Sequence, residues 1–181
     1  TPDRVLSELR RVAAEALQLV PFDRPFNIAE KCNLGVVASH GEVVLLLNDD
    51  IEITGDGFVT QLVAPLFEEG VGMTGGNLEL ADGTVQHGGV VLDDRLAVMF
   101  GDGERSVNHV APLLVRNSQR SMVGSAMVVN RETSAVTGAC LAITRRLYDE
   151  VGGVSEAFPS NFGDVDLSLK VADAGYRILW I

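Results

Sequence analysis

The chain has 181 residues, 46% of them hydrophobic and 6% aromatic, enough apolar material for one globular domain with a filled core. Its 25 acidic residues against 14 basic ones give a net charge of −11, which argues against a nucleic-acid binder, because phosphate binding needs clustered Lys and Arg. No apolar run approaches the ~20 residues that cross a bilayer, the polar N-terminal stretch does not read as a signal peptide, and the 19 glycines are dispersed without a repeat or low-complexity tract.

The elements follow in chain order. Thr1-Pro2-Asp3 is a helix start, continued by Val5, Leu9, Val12 and Ala13. Residues 16–22 (ALQLVPF) predict a strand ended by Pro21 and Pro25. Asn27 caps a second helix, with Ile28, Cys32, Gly35, Val36 and Ser39 as its packed stripe and Gly41 as its end. Residues 42–47 (EVVLLL) read as a central strand buried on both faces of a parallel sheet. This α-β-α-β order predicts a mostly parallel sheet with crossover helices.

A helix over residues 58–69 and a strand over 71–80 come next. Asp82-Gly83 then turns the chain into a hairpin with residues 84–92. Residues 93–117 read as loop, 121–129 as a short helix and 135–144 as a strand. The pattern ends with a helix over 145–151 stopped by Gly152-Gly153, a helix over 164–174 ended by Gly175, and a strand over 176–181. The basic pairs Arg10-Arg11 and Arg145-Arg146 read as solvated helix faces. Cys32 and Cys140 match no zinc or redox spacing, sit among apolar neighbours, and suit a reducing compartment as small core residues.

Four segments carry candidate chemistry. Asn48-Asp49-Asp50 follows a strand, where open α/β sheets bind ligands, and closely spaced oxygen ligands can grip a hard divalent cation. The alternative is a polar turn that only terminates the strand. Asp164, in Asn161-Phe162-Gly163-Asp164-Val165-Asp166, opens a helix and is either an N-cap or a general base. Asp166 suits the first helical turn on electrostatic grounds alone. Thr137-Gly138-Ala139-Cys140 is a run of small residues that lets a ligand approach the backbone, or merely packs tightly. His87, in Asp82-Gly83-Thr84-Val85-Gln86-His87-Gly88-Gly89, is a substrate or metal contact or a structural histidine; His40 and His109 offer less.

The order of these motifs resembles the family 2 glycosyltransferases. Residues 25–53 are similar to that family's helix followed by a strand ending in D-x-D, and residues 79–92 and 136–181 look like later parts of the same domain. The nearest subgroup is the rhamnosyltransferase-like, cell-surface polysaccharide enzymes. The resemblance implies a GT-A fold (a mixed, mostly parallel sheet flanked by helices) formed by one partial catalytic domain over residues 1–181, cut at both ends.

It also implies transfer of a sugar from a UDP-, dTDP- or GDP-linked donor to a carbohydrate or lipid-linked acceptor, with Mn2+ or Mg2+. Asp50 would be the metal ligand and Asn48 and Asp49 would sit against the diphosphate. Gly138 and Ala139 would border the donor sugar, and Asp164 would be the catalytic base. Two departures stand out: Asn48 replaces the first Asp of D-x-D, and Gly163 replaces the acid before Asp164. They keep open a non-catalytic sugar-nucleotide or glycan-binding module. A nucleotidyltransferase lacks support, since no Gly-rich phosphate loop follows a strand. The resemblance further implies a nucleotide-cradling strand ahead of Thr1, so the 181 residues alone are expected to turn over weakly or not at all. It suggests a cytoplasmic location, at the inner membrane face for the full-length protein.

Overall fold

The computed structural model describes residues 2–83, 85–91, 108–109 and 129–181. Five strands form the main sheet in the order β1 (Val43–Leu47), β8 (Cys140–Thr144), β2 (Val71–Gly75), β9 (Arg177–Trp180) and β7 (Arg131–Glu132). β3 (Leu78–Glu79) and β4 (Val85–His87) make the expected hairpin, and β5 (Val90–Val91) pairs with β6 (Asn108–His109). The helices are α1 (Pro2–Ala13), α2 (Ile28–Ala38), α3 (Phe58–Val63), α4 (Arg145–Glu150) and α5 (Gly163–Asp173). α3 continues as a 3-10 turn, Ala64–Phe67, where Pro65 interrupts the α-helical bonding. None of the helices among the described residues is long and apolar enough to cross a membrane. The helix expected over residues 121–129 lies outside the described residues but for Val129, as does the loop expected over 93–117 but for β6.

The sheet is mixed, and its pairing corrects the parallel expectation. β1, β2 and β9 point the same way, as α-β-α-β order requires, but only β2 and β9 are parallel neighbours. β8 runs antiparallel between β1 and β2, with Leu47 opposite Cys140 and Met73 opposite Ile143. β7 is antiparallel to β9 at the far edge. The strands buried on both faces are therefore β8 and β2, not β1. Cys140, Leu141, Ala142 and Ile143 are all 0% exposed. Leu141 and Ile143 face one cluster with Met73, Leu147, Leu167 and Ile178; Cys140 and Ala142 face another with Leu62, Leu66 and Leu78. Each fully buried large side chain stabilises the fold by roughly 1.5–3 kcal/mol. β1 is an edge strand in which Val44 alone is fully buried.

No strand forms over residues 16–22. Ala14–Ala16 is a 3-10 turn and the rest is irregular, with Leu19 and Val20 exposed. Pro21 lacks an amide hydrogen and no described strand runs alongside, so the segment has no ladder to join. α2 begins where Asn27 predicts, the Asn27 side chain accepting from Glu30 N at 3.1 Å. It ends at Ala38, three residues before Gly41, and it buries Ala29 and Val36 with Cys32 packed beside them, while Ile28 is exposed.

Two arrangements position the site. Gly72 brings β2 against the helices: a Cβ there would stand 2.6 Å from Tyr176 Cβ and 2.8 Å from Leu147 Cδ2. Asn33 then clamps the segment between α4 and α5 to α2. Its Oδ1 accepts from the Tyr148 hydroxyl at 2.6 Å and Val154 N at 3.1 Å, and its Nδ2 donates to Val154 O at 2.9 Å. Ile28 N donates to Pro159 O at 2.9 Å, fixing the same segment nearer the start of α5.

Candidate functional site

Beyond the end of β1, Asn48, Asp49 and Asp50 form an exposed turn. Asn48 N donates to Ala139 O at 2.9 Å, which ties the turn to the loop preceding β8. Each amide of that loop has its own acceptor. Thr137 N donates to His87 Nε2 at 3.3 Å, Gly138 N to Asp164 Oδ2 at 2.8 Å, and Ala139 N to Thr137 Oγ1 at 3.3 Å. The turn after β1, the hairpin strand β4 and the start of α5 thus meet on three small residues.

Asp164 is the second residue of α5, and Phe162 holds the N-cap position. The carboxylate therefore does not cap the helix. Besides Gly138 N it accepts from its neighbour Val165 N, at 2.9 Å. A carboxylate offers about four lone-pair positions, so two amide donors fix it and leave it able to take a further proton. Gly163, where the resemblance expects an acid, is buried, and a Cβ there would stand 2.8 Å from Val154 Cγ1. Asn33 holds Val154 in place, so this position has no room for a side chain.

A cleft of about 970 Å³ opens here, walled by α2, β1 and the segment leading into α5. Asn48, Gly138, Ala139 and Asp164 all line it, whereas Asp49 and Asp50 do not. Lys31 and Asp164 are its two charged lining residues among the described ones. The Lys31 ammonium lies 4.7 Å from the Phe26 ring and 5.4 Å from the Phe22 ring, within cation–π range.

His87 is 2% exposed and serves the loop as a hydrogen-bond acceptor. Nothing in its sequence context marks it as the anchor of residue 137, because the contact spans fifty positions. Burial pushes the thiols of Cys32 and Cys140 up, which suits packing residues more than nucleophiles. Arg145 is not a solvated residue: it donates to Gly41 O, Val36 O and Ser39 Oγ and closes the end of α2.

A hard divalent cation takes six or more oxygen ligands. Among the described residues no group of three or more His, Cys, Asp or Glu gathers to supply them. The Asn48-Asp49-Asp50 turn offers a few exposed oxygens, a donor set that fits a cation shared with an anionic ligand.

A mixed sheet flanked by helices, with its cleft at the end of β1, is the GT-A fold of glycosyltransferases. The structure of GalNAc-T7 with UDP, GalNAc and Mn2+ superposes with a TM-score of 0.72 at 16% identity, over 99% of this chain and 34% of that one. The mannosyltransferase PcManGT from Pyrobaculum calidifontis, in complex with GDP-Man and Mn2+, gives 0.61 at 18% identity, over 98% of this chain and 41% of that one. In sequence, the chain is 37% identical over 158 residues to the uncharacterized protein y4gI of Sinorhizobium fredii. It is 30% identical over 158 residues to the O-antigen biosynthesis protein RfbC of Myxococcus xanthus. Both alignments cover 87% of this chain, which spans 16% and 12% of the length of those two relatives. No family model matches the chain.

Proposed function

We propose that this domain is an inverting glycosyltransferase of the family 2 type, moving a sugar from a nucleotide-diphosphate donor to an acceptor hydroxyl in cell-surface polysaccharide synthesis. The observation that carries the reading is the convergence of Asn48 and Asp164, from elements more than a hundred residues apart, on the Thr137-Gly138-Ala139 loop in one cleft. The GT-A neighbours whose structures hold UDP or GDP-Man support the donor class, and the RfbC relative supports the pathway class.

Asp164, held by two amides, takes the proton from the acceptor hydroxyl. The oxygen's electron pair then forms the bond to the anomeric carbon while the bond from that carbon to the diphosphate breaks, giving inversion. Gly138 and Ala139 present a wall without large side chains, so the donor sugar can lie close to the backbone beside Asp164. Asp50, with Asn48, would hold Mn2+ or Mg2+ against the diphosphate, where the ion offsets the charge of the leaving group. The fold alone does not set the stereochemistry; inversion rests on a lone carboxylate placed to act as base.

A thermal-shift titration with UDP, GDP and dTDP, each with and without Mn2+, tests the donor site, since a ligand that binds the native state raises the melting temperature. The reading expects a metal-dependent rise with one nucleotide that Asp50→Ala abolishes. A rise that survives in Asp50→Ala refutes the role given to Asp50. The second reading, a binding module without catalysis, draws on Asn48 and on the absence of room for an acid at Gly163. It predicts the same rise with no transfer.

A further inference from the structure

We propose that Phe162 is a stacking platform for a pyranose ring of the acceptor, set beside Asp164. This deepens the transferase reading and rests on it: it names the acceptor as a carbohydrate that offers one apolar ring face and one free hydroxyl.

Phe162 has φ +66 and ψ 2, in the left-handed region; Ala14 is the one other described non-glycine residue at positive φ. An L-residue pays steric strain there that glycine would avoid, and the strain is greatest for bulky side chains. Packing does not explain why phenylalanine occupies the position. The residue is 52% exposed, and none of the described hydrophobic clusters includes it. The half of the ring that is covered roughly offsets the strain that glycine would relieve, so stability alone does not single out phenylalanine.

The cleft supplies the missing explanation. Phe162 lines its wall two residues before Asp164, the single anionic group among the described lining residues. Phe26, 62% exposed, lines the same cleft under Lys31. A flat apolar face next to one carboxylate matches a sugar ring, which has a face of C–H groups and an edge of hydroxyls. The ring covers the phenyl face, and the hydroxyl at its edge reaches the base.

The test is ligand-observed saturation-transfer NMR with the methyl pyranosides of glucose, galactose, mannose and rhamnose, on the native chain, Phe162→Gly and Phe162→Trp. The thermal-shift titration with UDP, GDP and dTDP plus Mn2+ runs alongside. The expected result is saturation of one face of at least one pyranoside. Phe162→Gly weakens that affinity by roughly 3- to 10-fold, the size of one aromatic contact, and Phe162→Trp retains it. Phe162→Gly still folds, read from a cooperative melting transition, and its nucleotide shift is unchanged. Pyranoside binding that survives Phe162→Gly at full strength overturns the platform and leaves the donor reading standing. Phe162-dependent pyranoside binding with no nucleotide shift supports the platform and overturns the donor site proposed for these residues. A nucleotide shift with no pyranoside saturation of the native chain overturns the platform alone.

Discussion

Restoring an acid at position 163 should damage the protein before it could assist catalysis. The Cβ of any residue there would stand 2.8 Å from Val154 Cγ1 and 3.8 Å from Phe158 O. Val154 is 6% exposed and its backbone is bonded on both sides to Asn33, so it has no free direction in which to move. Forcing a methyl group into such a contact costs about 1–3 kcal/mol. In a domain of this size each kcal/mol lowers the melting temperature by roughly 2–4 °C. Gly163→Ala should therefore melt several degrees below the native chain, and Gly163→Glu lower still. Val154→Ala removes the obstructing methyls at its own cost, so the Gly163→Ala/Val154→Ala double variant should lose less than the sum of the two. The cycle should show a favourable coupling of about 1 kcal/mol or more. Strictly additive losses, or a Gly163→Glu protein as stable as the native one, would refute the steric explanation and make Gly163 an arbitrary departure.

Two further outcomes follow from the structure. Arg145→Lys should destabilise the chain by about 1–2 kcal/mol, because an ammonium cannot match the three bonds of the guanidinium fork at the end of α2, part of which is solvent-screened. Arg146→Lys, where the side chain makes one long exposed bond to the Tyr176 hydroxyl, should be near neutral, and equal effects on the melting temperature would contradict this account. Burial pushes the Tyr148 phenol up to about 12 from the usual 10. The folded state thus holds its proton longer than the unfolded one. The stability is fully present below about pH 10 and falls between there and pH 12, by on the order of 1–2 kcal/mol once solvent screening of the phenol is discounted. Urea melts across that interval check it, and a flat profile there would contradict it.

Much of the fold was legible because local rules set it. Asn27 before a helix, Asp82-Gly83 between strands and Gly152-Gly153 after a helix each act within a few residues, and each did what its chemistry predicts. What was misread depends on distant partners. The runs VVLLL and CLAIT look alike, and which one lies inside the sheet is decided by β8 inserting between β1 and β2. Residues 16–22 have strand character but no neighbour to bond. Arg145 looks solvated until α2 brings its carbonyls within reach.

The same division holds at the site. As lining of the cleft, Asn48 and Asp164 were legible from their places after a strand and at a helix start and Gly138 and Ala139 from their small size, whereas Asp49 and Asp50, singled out from the same turn, do not line it. Their union in one cleft required the long-range register of β1 with β8. The His87 bond to Thr137, the left-handed Phe162 and the wall that closes position 163 were not legible, because each is a property of packing.

The most direct test of the central claim is a comparison of sugar transfer and nucleotide binding by the full-length protein and its Asp164→Asn variant, with the donor nucleotide identified by thermal shift. Asn keeps the shape and one acceptor oxygen but cannot take the proton. Donor binding should persist within about threefold, while transfer falls by roughly 100- to 10,000-fold, the usual contribution of a general base. Transfer at the native rate by Asp164→Asn would contradict the account.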